Sequence, residues 1–168
     1  IESYGFHGLE GLQAMMERRA GGETGVKAVH CQEDAAVWNY LDRNEWAQSL
    51  FEEALGRAEH RKPGELRDLV KKPALFLIEY RDGATGAVFQ MPGLVDEWTA
   101  AARIEGRQQP YSVLYKLQRF GVRHHFGCLV ENMEKMFETG KATYPVERTL
   151  LTSGMLDFLM ESRHQGNQ

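Results

Sequence analysis

The stretch Ala74–Met91 reads ALFLIEYRDGATGAVFQM and carries the clearest secondary-structure signal in the 168-residue chain. Two apolar runs of strand length, Ala74–Tyr80 and Ala84–Met91, lie on either side of Arg81-Asp82-Gly83. Asp-Gly between two such runs is a strong cue for a β-hairpin, because glycine readily adopts the positive φ of a tight turn. The stretch therefore predicts two adjacent antiparallel strands.

Further strand-like segments lie on both sides of this hairpin. Val26–Cys31 alternates in the manner of a strand, and Ala36–Leu41 is predicted as a second short strand. Glu97–Glu105 and Tyr111–Gln118 are predicted as two more strands, joined by Gly106–Pro110. Together with the hairpin, these segments predict an open, mainly antiparallel sheet.

Apolar residues at helical spacing predict the remaining elements. Leu9–Arg19 is the first candidate helix, and Gly21-Gly22 is expected to end it, since glycine accepts the left-handed conformation after a helix. Helices are also predicted over Glu45–Glu59, across Phe126–Phe137 and over about Pro145–Arg163. Helices segregated from consecutive hairpins indicate an α+β fold, with the helices packed on one face of the open sheet.

Length and composition place the chain among ordinary globular proteins. We expect one domain over residues 1–168, and a composition of 42% hydrophobic and 26% charged residues excludes a disordered or disulfide-rich chain. Twenty Lys and Arg against 24 Asp and Glu give a net charge of −4, so no basic field holds nucleic acid. The longest uncharged apolar stretch, Pro73–Ile78, is far shorter than the ~20 residues that span a bilayer. We therefore expect neither a nucleic-acid nor a membrane partner.

Cysteine and histidine positions give no metal motif. Cys31 and Cys128 lie far apart without a second cysteine nearby, and both are predicted to be reduced and mostly buried. The rings of His124-His125 would diverge on a helix, and His60 is predicted to lie on the surface. No three ligands have zinc-like spacing, so no metal is expected. An independent metal hydrolase is a further alternative. It would need metal ligands that are distant in the sequence and clustered in the folded chain.

The glycine-rich segment Gly21–Gly25 has the wrong context for a dinucleotide loop. Such a loop follows a strand and opens a helix, so that backbone N–H groups face the phosphates. Here the segment follows a predicted helix and precedes a predicted strand. We interpret it as a helix stop and a turn, and the chain is not expected to bind a dinucleotide by itself.

His7 is the strongest candidate for chemistry. It lies between Gly5 and Gly8, just before the first predicted helix, where small neighbours leave its imidazole open. Glu10 follows three residues later on an adjacent helix face. A histidine beside a cleft can act as a general acid or base near neutral pH, and a capping or packed histidine is the alternative. Aromatic residues on the predicted strands fit either a packed core or a sugar-binding surface: Tyr80, Phe89, Trp98, Tyr111 and Tyr115.

The segment Ser3–Glu10, with the sequence SYGFHGLE, resembles the D-x-G-x-H-x-x-D signature of the Gfo/Idh/MocA oxidoreductases, which include glucose–fructose oxidoreductase and inositol dehydrogenase. Ala74–Met91 is similar to that family's strand, turn and strand. Phe126–Gly140 resembles its late helix ending in Thr-Gly, and Val146–Gly166 resembles its final helix. In this order the segments cover almost the whole chain and resemble the family's C-terminal domain.

The resemblance implies a division of labour between two domains. In this family an N-terminal Rossmann domain holds NAD or NADP, and a dihydrodipicolinate-reductase-like C-terminal domain binds the substrate, usually a sugar or polyol. This chain would then be the substrate-binding and oligomerisation domain of a cytoplasmic NAD(P)-dependent dehydrogenase, with the dinucleotide-binding domain outside it. The resemblance also implies that the protein forms a homo-oligomer through the outer face of the sheet. It implies that this chain alone neither binds the cofactor nor is active.

The resemblance places the site near the start of the chain. His7 matches the signature histidine and is implied as the catalytic proton acceptor, and Ser3, His7 and Glu10 are implied to bind the substrate. Ser3 stands where the family has Asp, and Glu10 takes the later acidic position. Serine cannot supply a negative charge to orient the imidazole. A non-catalytic binding or assembly module on the same fold is therefore the alternative.

Overall fold

The structure of the chain, a computed structural model, describes residues 2–117 and 124–166, apart from the side chains of Glu2, Ser3 and His124. No described helix combines the length and the apolar character needed to cross a membrane. In chain order the described elements are α1 (Glu2–Met16), β1 (Val26–Glu33), α2 (Ala35–Arg43), α3 (Glu45–Leu55), α4 (Leu66–Leu69), β2 (Ala74–Tyr80), β3 (Thr85–Gln90), β4 (Trp98–Ala102), β5 (Tyr111–Tyr115), α5 (His124–Thr139) and α6 (Glu147–His164).

The predicted hairpin is confirmed. β2 and β3 pair antiparallel, with Phe76 opposite Val88. Gly83 in the turn has a φ of 89°, and its N–H donates to the Tyr80 carbonyl oxygen at 3.1 Å. The positive φ explains why glycine occupies this position. β1 pairs with the other edge of β2, with Cys31 opposite Phe76, so the hairpin's first strand becomes the centre of a three-stranded sheet.

The central strand β2 is buried on both faces. Alternate residues of a strand point to opposite faces, so Phe76 and Ile78 enter one core while Leu75 and Leu77 enter another. This double burial explains the unbroken apolar run in β2. The first core comprises Leu9, Cys31, Phe76, Ile78, Tyr80, Met155 and Leu159, and the second comprises Val37, Leu55, Val70, Leu75, Leu77, Met91 and Leu94.

The α+β class with open antiparallel sheets is confirmed, but the arrangement differs from the prediction in two respects. Helices cover both faces of the three-stranded sheet, because α1 and α6 supply one core and α2 and α3 the other. The strands also form two sheets, since β4 and β5 pair only with each other among the described strands. Shortly after β3 ends at Gln90, Gly93 lies in a turn with a φ of 91°, before β4 begins.

Two predicted elements are corrected by the structure. Ala36–Leu41 was predicted as a strand but belongs to helix α2. Its buried residues Val37 and Leu41 recur four positions apart, which is the spacing of a helix face, and a short apolar run does not by itself separate helix from strand. The first helix begins at Glu2 and not at Leu9, so the whole motif around His7 lies inside α1.

Two glycines of α1 allow the helix to approach the three-stranded sheet closely. A Cβ added at Gly5 would lie 2.5 Å from Cε2 of the buried Phe76 ring. A Cβ added at Gly8 would clash in the same way with the Val88 side chain, which is β-branched and stiff. The glycines around His7 are therefore needed for packing, and they set the position of His7 relative to the sheets.

Candidate functional site

His7 lies on the exposed side of α1, next to two large aromatic side chains. Its ring meets the Trp98 ring edge to face, with centroids 5.8 Å apart and planes at 83°. Tyr4 lies one helical turn earlier, is 68% exposed, and has its ring centroid 6.1 Å from that of Trp98. We call the group of Tyr4, His7 and Trp98 the aromatic surface.

The aromatic surface is formed by two distant parts of the chain. Residues three apart on a helix share a face, so Tyr4 and His7 project together from α1. Trp98 is the first residue of β4, and a Cβ added at Gly8 would lie 3.9 Å from its ring. This distance shows that the indole lies against α1 at Gly8, beside His7.

Glu10 has a different position from the one expected. The Thr152 hydroxyl on α6 donates to Glu10 Oε1 at 2.6 Å, and Thr152 is fully buried. Over residues 2–117 and 124–166, no hydrogen bond or ion pair joins the Glu10 carboxylate to the His7 imidazole. Ser3 belongs to α1, but its side chain lies outside the described part of the structure. The structure thus places His7 on the aromatic surface and Glu10 at the contact between two helices.

The aromatic surface has a clear chemical capability. The apolar C–H face of a small polyhydroxylated molecule can lie on an indole or phenol ring, while its hydroxyl groups remain free for hydrogen bonds. The His7 imidazole can donate or accept one of these bonds, and in its neutral form it can accept a proton. The Tyr4 hydroxyl offers a further donor and acceptor. The group can therefore bind and orient a small hydroxy compound.

A second cluster of chemically active side chains joins two loops. Glu59, His60 and Glu97 place their ligand atoms within 4.8 Å of one another, which makes the trio a possible cation site. His60 Nδ1 lies 2.8 Å from Glu97 Oε1, and the His60 backbone N–H donates to Glu97 Oε2 at 3.0 Å. The hydrogen bond from the His60 side chain is the largest cause of a lowered pKa at Glu97. Lys116 already pairs with Glu59, its Nζ lying 3.0 Å from Oε1.

Sequence spacing could not reveal this cluster. His60 is exposed as predicted, but Glu97 lies 37 positions further along the chain. The only local signal was the adjacent pair Glu59-His60, which is common on protein surfaces. The three side chains therefore come together because the segment after α3 packs beside the segment before β4.

A cleft of about 390 Å³ lies between the end of α1 and the start of α6. Glu17 and Arg148 face each other across it and form a two-pronged ion pair, with Arg148 Nε 2.7 Å from Glu17 Oε2. This hydrogen bonding is the largest cause of a raised pKa at Arg148, whose guanidinium also lies 4.2 Å from the Tyr144 ring centroid. Because Glu17 and Arg148 pair with each other, they join α1 to α6 and their charges are not free to bind a ligand.

The two cysteines should differ strongly in reactivity. Cys31 is buried, and desolvation, followed by the nearby Glu33 carboxylate, raises its pKa from 9.0 to about 11. Cys128 is exposed on α5, which corrects the prediction that both thiols are mostly buried. At pH 8 we expect an aromatic disulfide reagent to modify Cys128 about 100-fold faster than Cys31, because the thiolate is the reacting form.

The control for this experiment is Cys128→Ser, which should remove the fast phase, and a remaining fast thiol would contradict the burial of Cys31.

The Cys31 thiol also holds its proton to higher pH in the folded chain than in the unfolded chain. The free energy of unfolding should therefore fall as the pH rises from 9.0 toward about 11.

Comparisons of the chain with protein-family models, with curated proteins and with solved structures find no match. The geometry around His7 and the sequence resemblance of Ser3–Glu10 are therefore the two sources of support for a function.

Proposed function

We propose that this chain is the substrate-binding domain of an NAD(P)-dependent oxidoreductase that acts on a sugar, polyol or related small hydroxy compound. The observation that carries the proposal is the exposed His7 imidazole, held edge-on to Trp98 beside Tyr4. His7 stands at the histidine position of the family signature, and its exposed imidazole lies where a small molecule can reach it. A cytoplasmic location and a role in oligomerisation belong to the same proposal.

The chain's own residues would bind the hydroxy compound and take up its proton. Oxidation of a secondary alcohol releases a proton from the hydroxyl group, and a neutral imidazole within about 3 Å of that oxygen can accept it. Tyr4 and Trp98 would hold the carbon skeleton against His7. The order of the elements does not suit a dinucleotide, because Gly21 and Gly22 follow helix α1 and lead into strand β1. We therefore assign NAD or NADP to a separate domain.

The alternative is a non-catalytic binding or assembly module. One observation favours it: Glu10, the acid expected beside His7, binds Thr152 at 2.6 Å instead. A general base works best when a second group fixes its orientation and its tautomer. In the described residues an aromatic ring, and not a carboxylate, is the neighbour of His7. Binding without proton transfer would use the same aromatic surface.

Substitutions on the aromatic surface should weaken the binding of small hydroxy compounds. We expect His7→Ala and Tyr4→Ala each to lower affinity about 5-fold, the usual effect of losing about one hydrogen bond. Both side chains are exposed, so neither variant should unfold the chain. Binding of a panel of sugars and polyols would be measured by calorimetry for every chain, and by shifts of the His7 ring signals in NMR spectra for the original chain and Tyr4→Ala.

His164→Ala is the matched control, because His164 is an exposed histidine at the far end of α6. It should leave affinity unchanged. Equal affinity for the original chain and for both aromatic-surface variants would overturn the proposed site. In the protein carrying its dinucleotide-binding domain, turnover that His7→Gln leaves unchanged would contradict proton transfer to His7. Binding of a hydroxy compound without any turnover would favour the non-catalytic alternative.

A further inference from the structure

Helix α5 presents a row of large apolar side chains that no described part of the chain covers. No described side chain of α5 is buried, although the helix runs for 16 residues. The exposed fractions are 51% for Phe126, 54% for Leu129, 49% for Val130, 45% for Met133 and 77% for Phe137. These five residues recur at intervals of three and four, so they share one helix face. We call this face the α5 seam.

The charges of α5 lie away from the seam. Its charged residues are grouped on the other side of the helix and are mostly acidic: Glu131, Glu134, Lys135 and Glu138. An apolar face with charges kept off it is the pattern of a helix that pairs with another helix. Helices that lie on lipid surfaces carry Lys and Arg on their polar face, and α5 carries mainly Glu there. The pattern therefore favours a protein partner over a membrane.

The size of the seam suits a pair of identical chains. At roughly 200 Å² for a fully exposed large side chain, the seam amounts to roughly 500 Å² per copy. Two copies would bury roughly 1,000 Å² in total through their seams, which is about the smallest area of a specific protein interface.

We propose that two copies of this chain associate through their α5 seams as an antiparallel dimer. Four of the five seam residues are placed symmetrically about its centre, with a phenylalanine near each end, and Leu129 lies opposite Glu134. In an antiparallel pair Phe126 of one copy lies opposite Phe137 of the other, and Val130 lies opposite Met133. The helix dipoles of the two α5 helices then oppose each other, which is favourable.

This interface differs from the one that the resemblance implies. The resemblance implies contact through the outer face of a sheet, but helices cover both faces of the three-stranded sheet. The α5 seam is an apolar surface that stays exposed in the described part of the chain. The inference does not depend on the site at His7, because the oligomeric state and the binding of a hydroxy compound are measured separately.

The test is the mass of the whole chain in solution, measured by sedimentation equilibrium between about 1 and 100 µM. We expect a species of twice the 19.2 kDa chain mass. Met133→Glu places a carboxylate in the seam and should weaken the dimer at least about 100-fold, because an unpaired charge is costly to bury. Lys135→Glu introduces the same residue on the other side of α5 and should leave the dimer intact.

A monomer at 100 µM, or a dimer that persists unchanged in Met133→Glu, would overturn the proposal. Circular dichroism would show that Met133→Glu keeps the fold, since Met133 is 45% exposed in the single chain. A monomer that binds vesicles of phosphatidylcholine and phosphatidylserine would assign the seam to a membrane instead. In a Cys128→Ser background, cross-linking between Val130→Cys and Met133→Cys chains supports the antiparallel pairing, and preferred cross-linking between two Val130→Cys chains contradicts it.

Discussion

Replacing Phe76 by alanine is expected to lower the free energy of unfolding by about 3–5 kcal/mol, the usual cost of removing a large buried side chain from a core. Phe76 is fully buried on the central strand, in the core shared with Leu9 of α1 and Leu159 of α6. Urea unfolding followed by circular dichroism would measure the loss. Tyr4→Ala, which removes a ring that is 68% exposed, should change stability by less than about 0.5 kcal/mol.

A second substitution tests the same contact from the other side. Gly5→Ala should cost about 1–3 kcal/mol, because its new Cβ would lie 2.5 Å from the Phe76 ring. In a Phe76→Leu background that cost should shrink, since the ring atoms are gone and the two changes are coupled. Gly154→Ala in α6, where nothing lies within 4 Å, should stabilise the chain instead. Additive costs for Gly5→Ala and Phe76→Leu would show that α1 does not pack on β2 in this way.

Replacing Gln13 by leucine is expected to lower the free energy of unfolding by about 1–3 kcal/mol. Gln13 is a buried polar residue of α1, only 1% exposed. The Tyr80 hydroxyl donates to Gln13 Oε1 at 3.1 Å, and Gln13 Nε2 donates to Glu23. Leucine would remove the acceptor and leave the buried Tyr80 hydroxyl without its partner.

The matched experiment is the double variant Gln13→Leu/Tyr80→Phe. Removing both partners leaves no unpaired buried hydroxyl, and the Glu23 carboxylate, which is 32% exposed, can accept from water in place of Gln13. The double variant should therefore be more stable than Gln13→Leu alone. Chemical denaturation of the four chains would complete a double-mutant cycle. If Tyr80→Phe lowers stability equally in both backgrounds, the hydroxyl has another partner and the hydrogen bond to Gln13 is not the reason for burying either group.

The stability of α1 and the function proposed for it are closely connected. The helix that carries His7 on its exposed side uses Gly5, Gly8 and Gln13 on its inner side to dock against the sheet and the first core. A variant that loosens this docking would also displace His7 from Trp98. Loss of ligand binding in such a variant would therefore not identify His7 as the binding group, which is why exposed substitutions are the better test of the aromatic surface.

Several elements were predictable because their signals act over a few residues. The apolar run of β2, Asp82-Gly83 and the following run of β3 suffice for a hairpin, and the structure has it. The stripes of α5 and α6 were recognised in the same way. The short segment Ala36–Leu41 belongs to α2 and not to the predicted strand, since a run of that length fits either period until its burial is known.

The sequence by itself therefore determined the α+β class, the hairpin and the candidacy of His7, since local spacing and turn chemistry are enough for these. Only the tertiary structure decided the partners of the candidate residues. Glu10 and Thr152 are 142 positions apart, and their contact depends on how α1 packs against α6. The same holds for three other features: the division of strands between two sheets, the contact of His7 with Trp98 and the exposed face of α5. Each depends on which surfaces the folded chain brings together, and local sequence patterns carry no information about those contacts.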